Sequence, residues 1–428
     1  MATNIHEAEK PSVSRVGVPP TVKGLSLVSL FNDFASEMVY PLLPAFITRT
    51  LGGGPLILGL LDGAAELTSS AVKWISGRLA DRPGWPRPLI LWGYAIAVLV
   101  RPLIAGAGAA WQVVGLRVAD RIGKGVRTPP RDALIAQITS PLQRGRAFGF
   151  HRGADHFGAV LGSLAAWVLL TRGADIRSVI GWSVVPGVLA FVVLVVVLKG
   201  RGNGGTKERG NGGTKERGNE GMREAEGAFP RALVPSFLRS PVPAFPRSFW
   251  PPVVAITALT FFRLPEALLI LRLQDRGVAV AVVPLVWAGL HVVRSASSYP
   301  GGWLVDRLGP RRVVAAGGLL FALVALVLGS SLGPAAAVAL FLLLGLVAGL
   351  TESGERAVVA RLAPARMGRG FGAYHALAGA AALPAGLIFG AIYQSVSGQA
   401  ALWASAAGMG LAVVAWLIVS PVDQGSDS

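Results

Sequence analysis

Cysteine is absent from all 428 residues, which excludes disulfides and thiolate metal sites. Charge is also scarce. Asp, Glu, Lys and Arg make up 15% of the chain, against about 25% in soluble domains, too few to cover a water-facing surface. Acids are the rarer sign: 23 Asp and Glu stand against 40 Lys and Arg, a formal net charge of +17. No Gly-x4-Gly-Lys-Ser/Thr phosphate loop and no His-Glu-x-x-His pair occurs, so direct nucleotide hydrolysis and zinc-protease chemistry have no sequence support. Residues 1–22 have no apolar core, and no cleavable signal peptide is expected there.

What the chain has instead is apolar length. Hydrophobic residues make up 52% of it, and Gly, common in membrane helices, occurs 55 times. A membrane helix needs about 20 mostly apolar residues. Such runs predict spans at 24–49, 56–80, 87–109, 111–137, 145–171, 177–199, 248–274, 280–305, 311–332, 334–361, 369–395 and 398–420. The reading is an all-α integral membrane fold of twelve transmembrane helices. Its divisions are an N-terminal tail (1–22), a six-helix bundle (23–199), a linker (200–247), a second bundle (248–420) and a short tail (421–428). The linker carries Gly-Asn-Gly-Gly-Thr-Lys-Glu-Arg twice, at 202–209 and 210–217, a composition that cannot bury a core and predicts a flexible tether.

Basic residues fall on alternate connections, as at Arg82 and Arg87, Arg131 and Arg144, and Arg307, Arg311 and Arg312. That alternation is the positive-inside pattern and places both tails and the linker in the cytoplasm. It also argues against nucleic acid as a partner, since the charge forms no basic face.

The two halves repeat. Gly77-Arg-Leu-Ala-Asp81-Arg82 ends the second span, and Gly302-Trp-Leu-Val-Asp306-Arg307 ends the eighth. A second pair opens the fifth and eleventh spans at almost the same offset: Gly145-Arg-Ala-Phe-Gly149 and Gly368-Arg-Gly-Phe-Gly372. Repeats of the same sense imply a pseudo-two-fold axis along the membrane normal, with a site between the halves near the midplane. On these residues the chain resembles the major facilitator superfamily, whose second-to-third-helix motif reads Gly-x-x-x-Asp-Arg/Lys-x-Gly-Arg/Lys-Arg/Lys. The stretch from Asp120-Arg121 through Gly123-Lys124-Gly125 and Arg127 to Arg131-Asp132-Ala133 is similar to one bacterial subgroup of that superfamily. The resemblance implies two pseudo-symmetric six-helix bundles, no cofactor, and a secondary active transporter that is not an enzyme. It also implies that Gly77, Asp81, Arg82, Gly302, Asp306, Arg307 and Arg131 form a conformational latch.

Ionisable residues inside spans are expensive and by default functional. Asp33, Glu37 and Glu266 are the proton-coupling candidates. Arg121, Lys124, Arg263 and Arg101 are the substrate candidates, because guanidinium and ammonium groups bind polar or anionic solutes. The competing reading pairs these acids and bases as structural ion pairs between helices. The expected partners are thus a small solute, a proton and the bilayer. Proton-antiport drug export stays open as an alternative, although the fifth span, with Gly153, Gly158 and Gly162, lacks the proline of the antiporter pattern. A membrane enzyme or a channel has no signature here.

Overall fold

Proline and glycine set the helix limits. The computed structural model describes residues 18–80, 82, 84–139, 144–199, 247–362 and 367–420. Asp81, the linker short of Arg247 and the residues before 18 and after 420 lie outside the described residues.

Helix α1 (Pro20–Val39) starts a few residues before the predicted span, with Pro20 at the first helical position where its missing N–H is harmless. Pro41 and Pro44 then break the regular ladder, and the chain reaches Thr50 through short irregular turns. α2 (Pro55–Ala80), α3 (Pro86–Leu103) and α4 (Ala110–Ile138) follow, then α5 (Arg144–Thr171). α6 runs as Ile176–Trp182 and Val184–Lys199, its start capped by the Asp175 carboxylate. In the second half α7 comes in two pieces, α7a (Trp250–Phe262) and α7b (Glu266–Asp275). α8 (Val283–Leu308), α9 (Pro310–Gly329), α10 (Pro334–Leu362), α11 (Met367–Ser395) and α12 (Gly398–Val419) complete the chain.

The seventh span is read from sequence as one helix, and the structure corrects this. Pro265 has no N–H and forces its neighbour out of the helical region, so residues 263–265 form an extended break. Nine helical segments among the described residues are long and apolar enough to cross a bilayer by composition. α1, α2 and α4 fall short because they carry the prolines or the charges of the interior.

Packing repeats every six helices. α1 packs on α5 and α6 as α7 packs on α11 and α12. α4 lies against α2 and α3 as α10 lies against α8 and α9. The halves meet through α2 on α11 and α5 on α8. Glycine makes the first seam possible: a Cβ on Gly59 would sit 1.9 Å from the Gly386 carbonyl oxygen, and one on Gly386 would sit 2.1 Å from that of Gly59. Gly158 and Gly162 do the same inside the first half, each 2.2 Å from a carbonyl of α1. In α8 the close approach is made by Gly301, 2.2 Å from the Gly349 carbonyl, while the motif glycine Gly302 meets nothing within 4 Å.

Ser331 stands in Gly329-Ser330-Ser331-Leu332-Gly333, which has the spacing of a nucleophile elbow. It lies between two helices rather than on a strand-to-helix turn, so the geometry of that motif is missing.

Candidate functional site

Helix α4 holds the densest charge, and most of it is spent on holding the first half together. Asp120 is 1% exposed. Its carboxylate lies 2.9 Å from Arg101 Nε, 3.5 Å from Arg117 Nη1 and 3.9 Å from Arg121 Nε. Arg101 also donates to the Asn32 carbonyl at 2.8 Å. Arg127 donates to Asn32 Oδ1 (3.3 Å) and to the Gly93 carbonyl (3.2 Å). Arg131 donates to Ser29 Oγ at 3.1 Å and pairs with Asp132. These arginines bridge α4 to α1 and α3: Arg101, Arg117 and Arg121 share Asp120, Arg131 pairs with Asp132, and Arg127 is held by the neutral acceptors Asn32 and Gly93.

Arg121 and Lys124 lie on the same helix and differ from these. Neither Lys124 nor Lys73 of α2 has a hydrogen-bond or ion-pair partner for its ammonium among the described residues. The charged groups around Lys124 include Arg121, Lys73, Asp33 and Glu66. The structure thus separates the substrate candidates: Arg121 and Lys124 stand in one polar cluster, whereas Arg101 is enclosed by Asp120 and Asn32. Arg263 is on the opposite half, at the α7 break, where it donates to Thr351 (3.2 Å) and Glu355 (3.3 Å). Tyr374 donates to the other oxygen of Glu355 at 2.6 Å.

The acids join the halves. Glu37 Oε2 accepts from Trp287 Nε1 at 2.8 Å and lies 3.8 Å from His291 Nε2. Asp62 accepts from the Tyr40 hydroxyl at 3.1 Å and from the Ala267 backbone N–H at 2.8 Å. The second bond exists because α7 is broken. The first N–H groups of α7b have no partner within the helix, and a carboxylate there meets both free donors and the positive helix end. Glu266 opens α7b, 47% exposed and 3.7 Å from Arg294, which pairs more closely with Glu352. Among the described residues, the Asp33 carboxylate accepts only from its neighbour Asn32.

Asp62, Trp287 and Arg294 are absent from the sequence-based candidates. One signal was available: with the two motif copies aligned, Asp62 falls on Trp287 and Glu66 on His291. The matched faces of α2 and α8 are polar in both halves.

Toward the Pro55 end the seal continues, with the Leu56 N–H donating to Gln394 at 3.2 Å. The motif residues occupy the other end. Gly77 has only Pro129 near the position of a Cβ, at 3.7 Å, while Arg82, Asp306 and Arg307 are exposed. Arg307 stacks on the Trp303 ring at 4.4 Å. Arg152, near the start of α5, is 61% exposed.

Relatives carry the same architecture. An uncharacterised MFS-type transporter of Methanocaldococcus jannaschii is 27% identical over 377 residues, covering 86% of this chain and 87% of that protein. The multidrug resistance protein MdtH of Proteus mirabilis is 31% identical over 134 residues, 31% of this chain and 33% of its own length. Among solved structures, an inward-facing bacterial homologue of the human lysosomal transporter Spinster superposes with a TM-score of 0.65 at 17% identity, covering 94% of this chain and 96% of that one. The nucleoside transporter NupG gives 0.68 at 10% identity, covering 93% and 99%. At such identities the structures speak to fold alone. The Major Facilitator Superfamily model matches residues 25–293 and 267–428. With paired six-helix bundles, a polar interior and that match along nearly its whole length, the chain belongs to the Major Facilitator Superfamily of membrane transporters.

Proposed function

We propose that this transporter moves a small polar or anionic solute across the cell membrane by alternating access, driven by protons. The observation that carries the reading is that Glu37 and Asp62 of the first half bond directly to Trp287 and Ala267 of the second. The seal therefore rests on carboxylate acceptors. A proton on either weakens a charge-assisted bond, and a ligand that favours one state shifts the population toward it. Glu266, beside Arg294, and Asp33 complete the set of coupling acids. Arg121, Lys124 and Arg263 contact the solute, and Arg101 positions Asp120.

The basic connections put both termini in the cytoplasm. On that orientation the proposed seal lies at the outer end, and the proposed resting state opens inward. The motif pairs Gly77 to Arg82 and Gly302 to Arg307, with Arg131, then act at the inner surface when that side closes.

The test uses proteoliposomes and radiolabelled mono- and dicarboxylates, chosen by a thermal-shift screen because a bound ligand raises apparent stability. At least one anion accumulates under a proton gradient, and a protonophore abolishes the accumulation. Transport indifferent to the protonophore rejects proton coupling. Proton-antiport drug export is a second reading, favoured by the stretch similar to MdtH. It predicts expulsion rather than accumulation under an inward gradient.

A further inference from the structure

The interior of the first half leaves two lysines without a counter-ion. Asp120 is already shared by Arg101, Arg117 and Arg121, with Arg121 the most distant at 3.9 Å. One turn further along α4 stands Lys124, and Lys73 approaches it from α2. The two helices touch at this level. A Cβ on Gly125, next to Lys124, would sit 2.7 Å from the Cβ of Val72, next to Lys73, and Ser76 Oγ donates to the Gly125 carbonyl at 2.7 Å. Arg121 and Lys73 are among the charges around Lys124, and Arg121 is among those around Lys73. Neither ammonium has a hydrogen-bond or ion-pair partner among the described residues. The nearby acids are engaged elsewhere: Glu66 accepts from Ser70 at 3.2 Å and Asp33 from Asn32 at 2.9 Å.

Unpaired charge within a membrane span is costly and marks a place where an ion of opposite sign binds. Lys124 is exposed, yet the charges around it belong to α1, α2 and α4, so it opens onto the interior between those helices rather than onto lipid. A monoanion would neutralise one of the two free ammonium groups, whereas a dianion neutralises both. The same geometry sets the shape of that dianion. Lys73 and Lys124 belong to touching stretches of backbone, and Arg121 lies one turn away, so the negative charge must sit on one compact head rather than at the two ends of a chain. A phosphate monoester has such a head, with a charge of about −1.5 to −2 at neutral pH and three acceptor oxygens. Lysine serves it as a point charge and arginine as a planar fork.

We propose that Lys73, Lys124 and Arg121 bind the phosphoryl head of a small phosphate monoester. The site rests on the reading above that Arg121 and Lys124 contact the solute; it adds Lys73 and narrows the anion to a compact dianion. The second half borders it. His375 of α11 stands near Lys73 and Glu66, and a Cβ on Gly379, one turn on, would sit 2.6 Å from the Cβ of Ser70 on α2. A ligand held by Lys73 therefore lies beside the α2–α11 seam, where its binding bears on the equilibrium between the two openings.

Equilibrium binding of radiolabelled inorganic phosphate to the full chain in nanodiscs of neutral lipid tests this, against empty nanodiscs, with no gradient imposed and at pH about 8, above the second phosphate ionisation. Saturable binding is expected, displaced by methyl phosphate. Dimethyl phosphate, a monoanion of similar shape, and succinate, whose two charges stand apart, should displace it far less well. Lys73→Gln and Lys124→Gln should each weaken binding about tenfold or more, the effect of losing one charge-assisted contact, while the protein stays monodisperse and melts cooperatively. Lys73→Arg, which keeps the charge, should retain part of the affinity, and Lys199→Gln, at the end of α6, should bind as the parent does. No saturable binding, equal displacement by dimethyl phosphate or succinate, or unchanged affinity in either lysine-to-glutamine variant would overturn the site. Proton-driven accumulation of another anion, with no phosphate binding, would reject the phosphate site and leave the transport reading standing. Phosphate binding without proton-driven accumulation would uphold the site and reject the coupling.

Discussion

Asp120 has three arginines around it and almost no water. Its replacement by Asn leaves Arg101 and Arg117 buried without a counter-charge, and breaking a buried pair from one side costs about 3–5 kcal/mol. Asp120→Asn should therefore lower the apparent unfolding temperature strongly in detergent, whereas the triple variant Arg101→Met/Arg117→Met/Asp120→Leu should lose much less. Equal losses in both would contradict a structural ion pair. Glu37 behaves differently, since its carboxylate holds a tryptophan of the other half. Glu37→Gln should keep counterflow of a transported anion and lose accumulation under a proton gradient, which paired uptake assays separate. In sequence, Arg101 is the one charge deep in an apolar span, whereas Arg121 stands among other charges on α4. That Asp120 encloses Arg101 depends on how α3 packs on α4, and no spacing rule carries that information from one helix to its neighbour.

Among the elements, α7 and the seam between α2 and α11 carry the conformational argument. Pro265→Ala removes the obstacle to a continuous helix. The free N–H of Ala267 would then turn back into the α7 ladder and leave Asp62 without its partner. Transport by that variant should fall, while expression and folding stay close to those of the parent. The seam works through backbone contact, so Gly386→Val forces α2 and α11 apart. Because the chain contains no cysteine, the effect can be read directly: Gly54→Cys and Gln394→Cys should cross-link efficiently with a short bifunctional maleimide, and several-fold less once Gly386→Val is added. Unchanged cross-linking would mean that the seam tolerates a side chain. The helices themselves were legible in sequence because apolar length and bounding polar turns report directly on the bilayer. The α7 break was legible only as Pro265, and its consequence depended on Asp62, which belongs to the other half of the chain.

At the scale of the whole molecule the fold was readable from its duplication. Two motif copies at nearly constant offsets divide the chain into two bundles, and six-helix-shifted packing pairs reproduce that symmetry. Which end is sealed was not readable, because Gly59 and Gly386 meet from opposite halves of the chain with no periodic pattern to announce it. On the proposed reading, carboxylates of one half, bonded to the other, set the equilibrium between two openings. Spin-label distances measure this directly on a chain without native cysteine. One pair, Arg49→Cys with Val396→Cys, spans the sealed end; the other, Phe150→Cys with Tyr299→Cys, spans the open end. On lowering the pH from about 8 to about 4, into the range where carboxylates take up protons, the first distance should lengthen and the second shorten. Glu37→Gln should shift both in the same directions at high pH. Distances that ignore pH, or that both lengthen together, would contradict proton-governed alternating access.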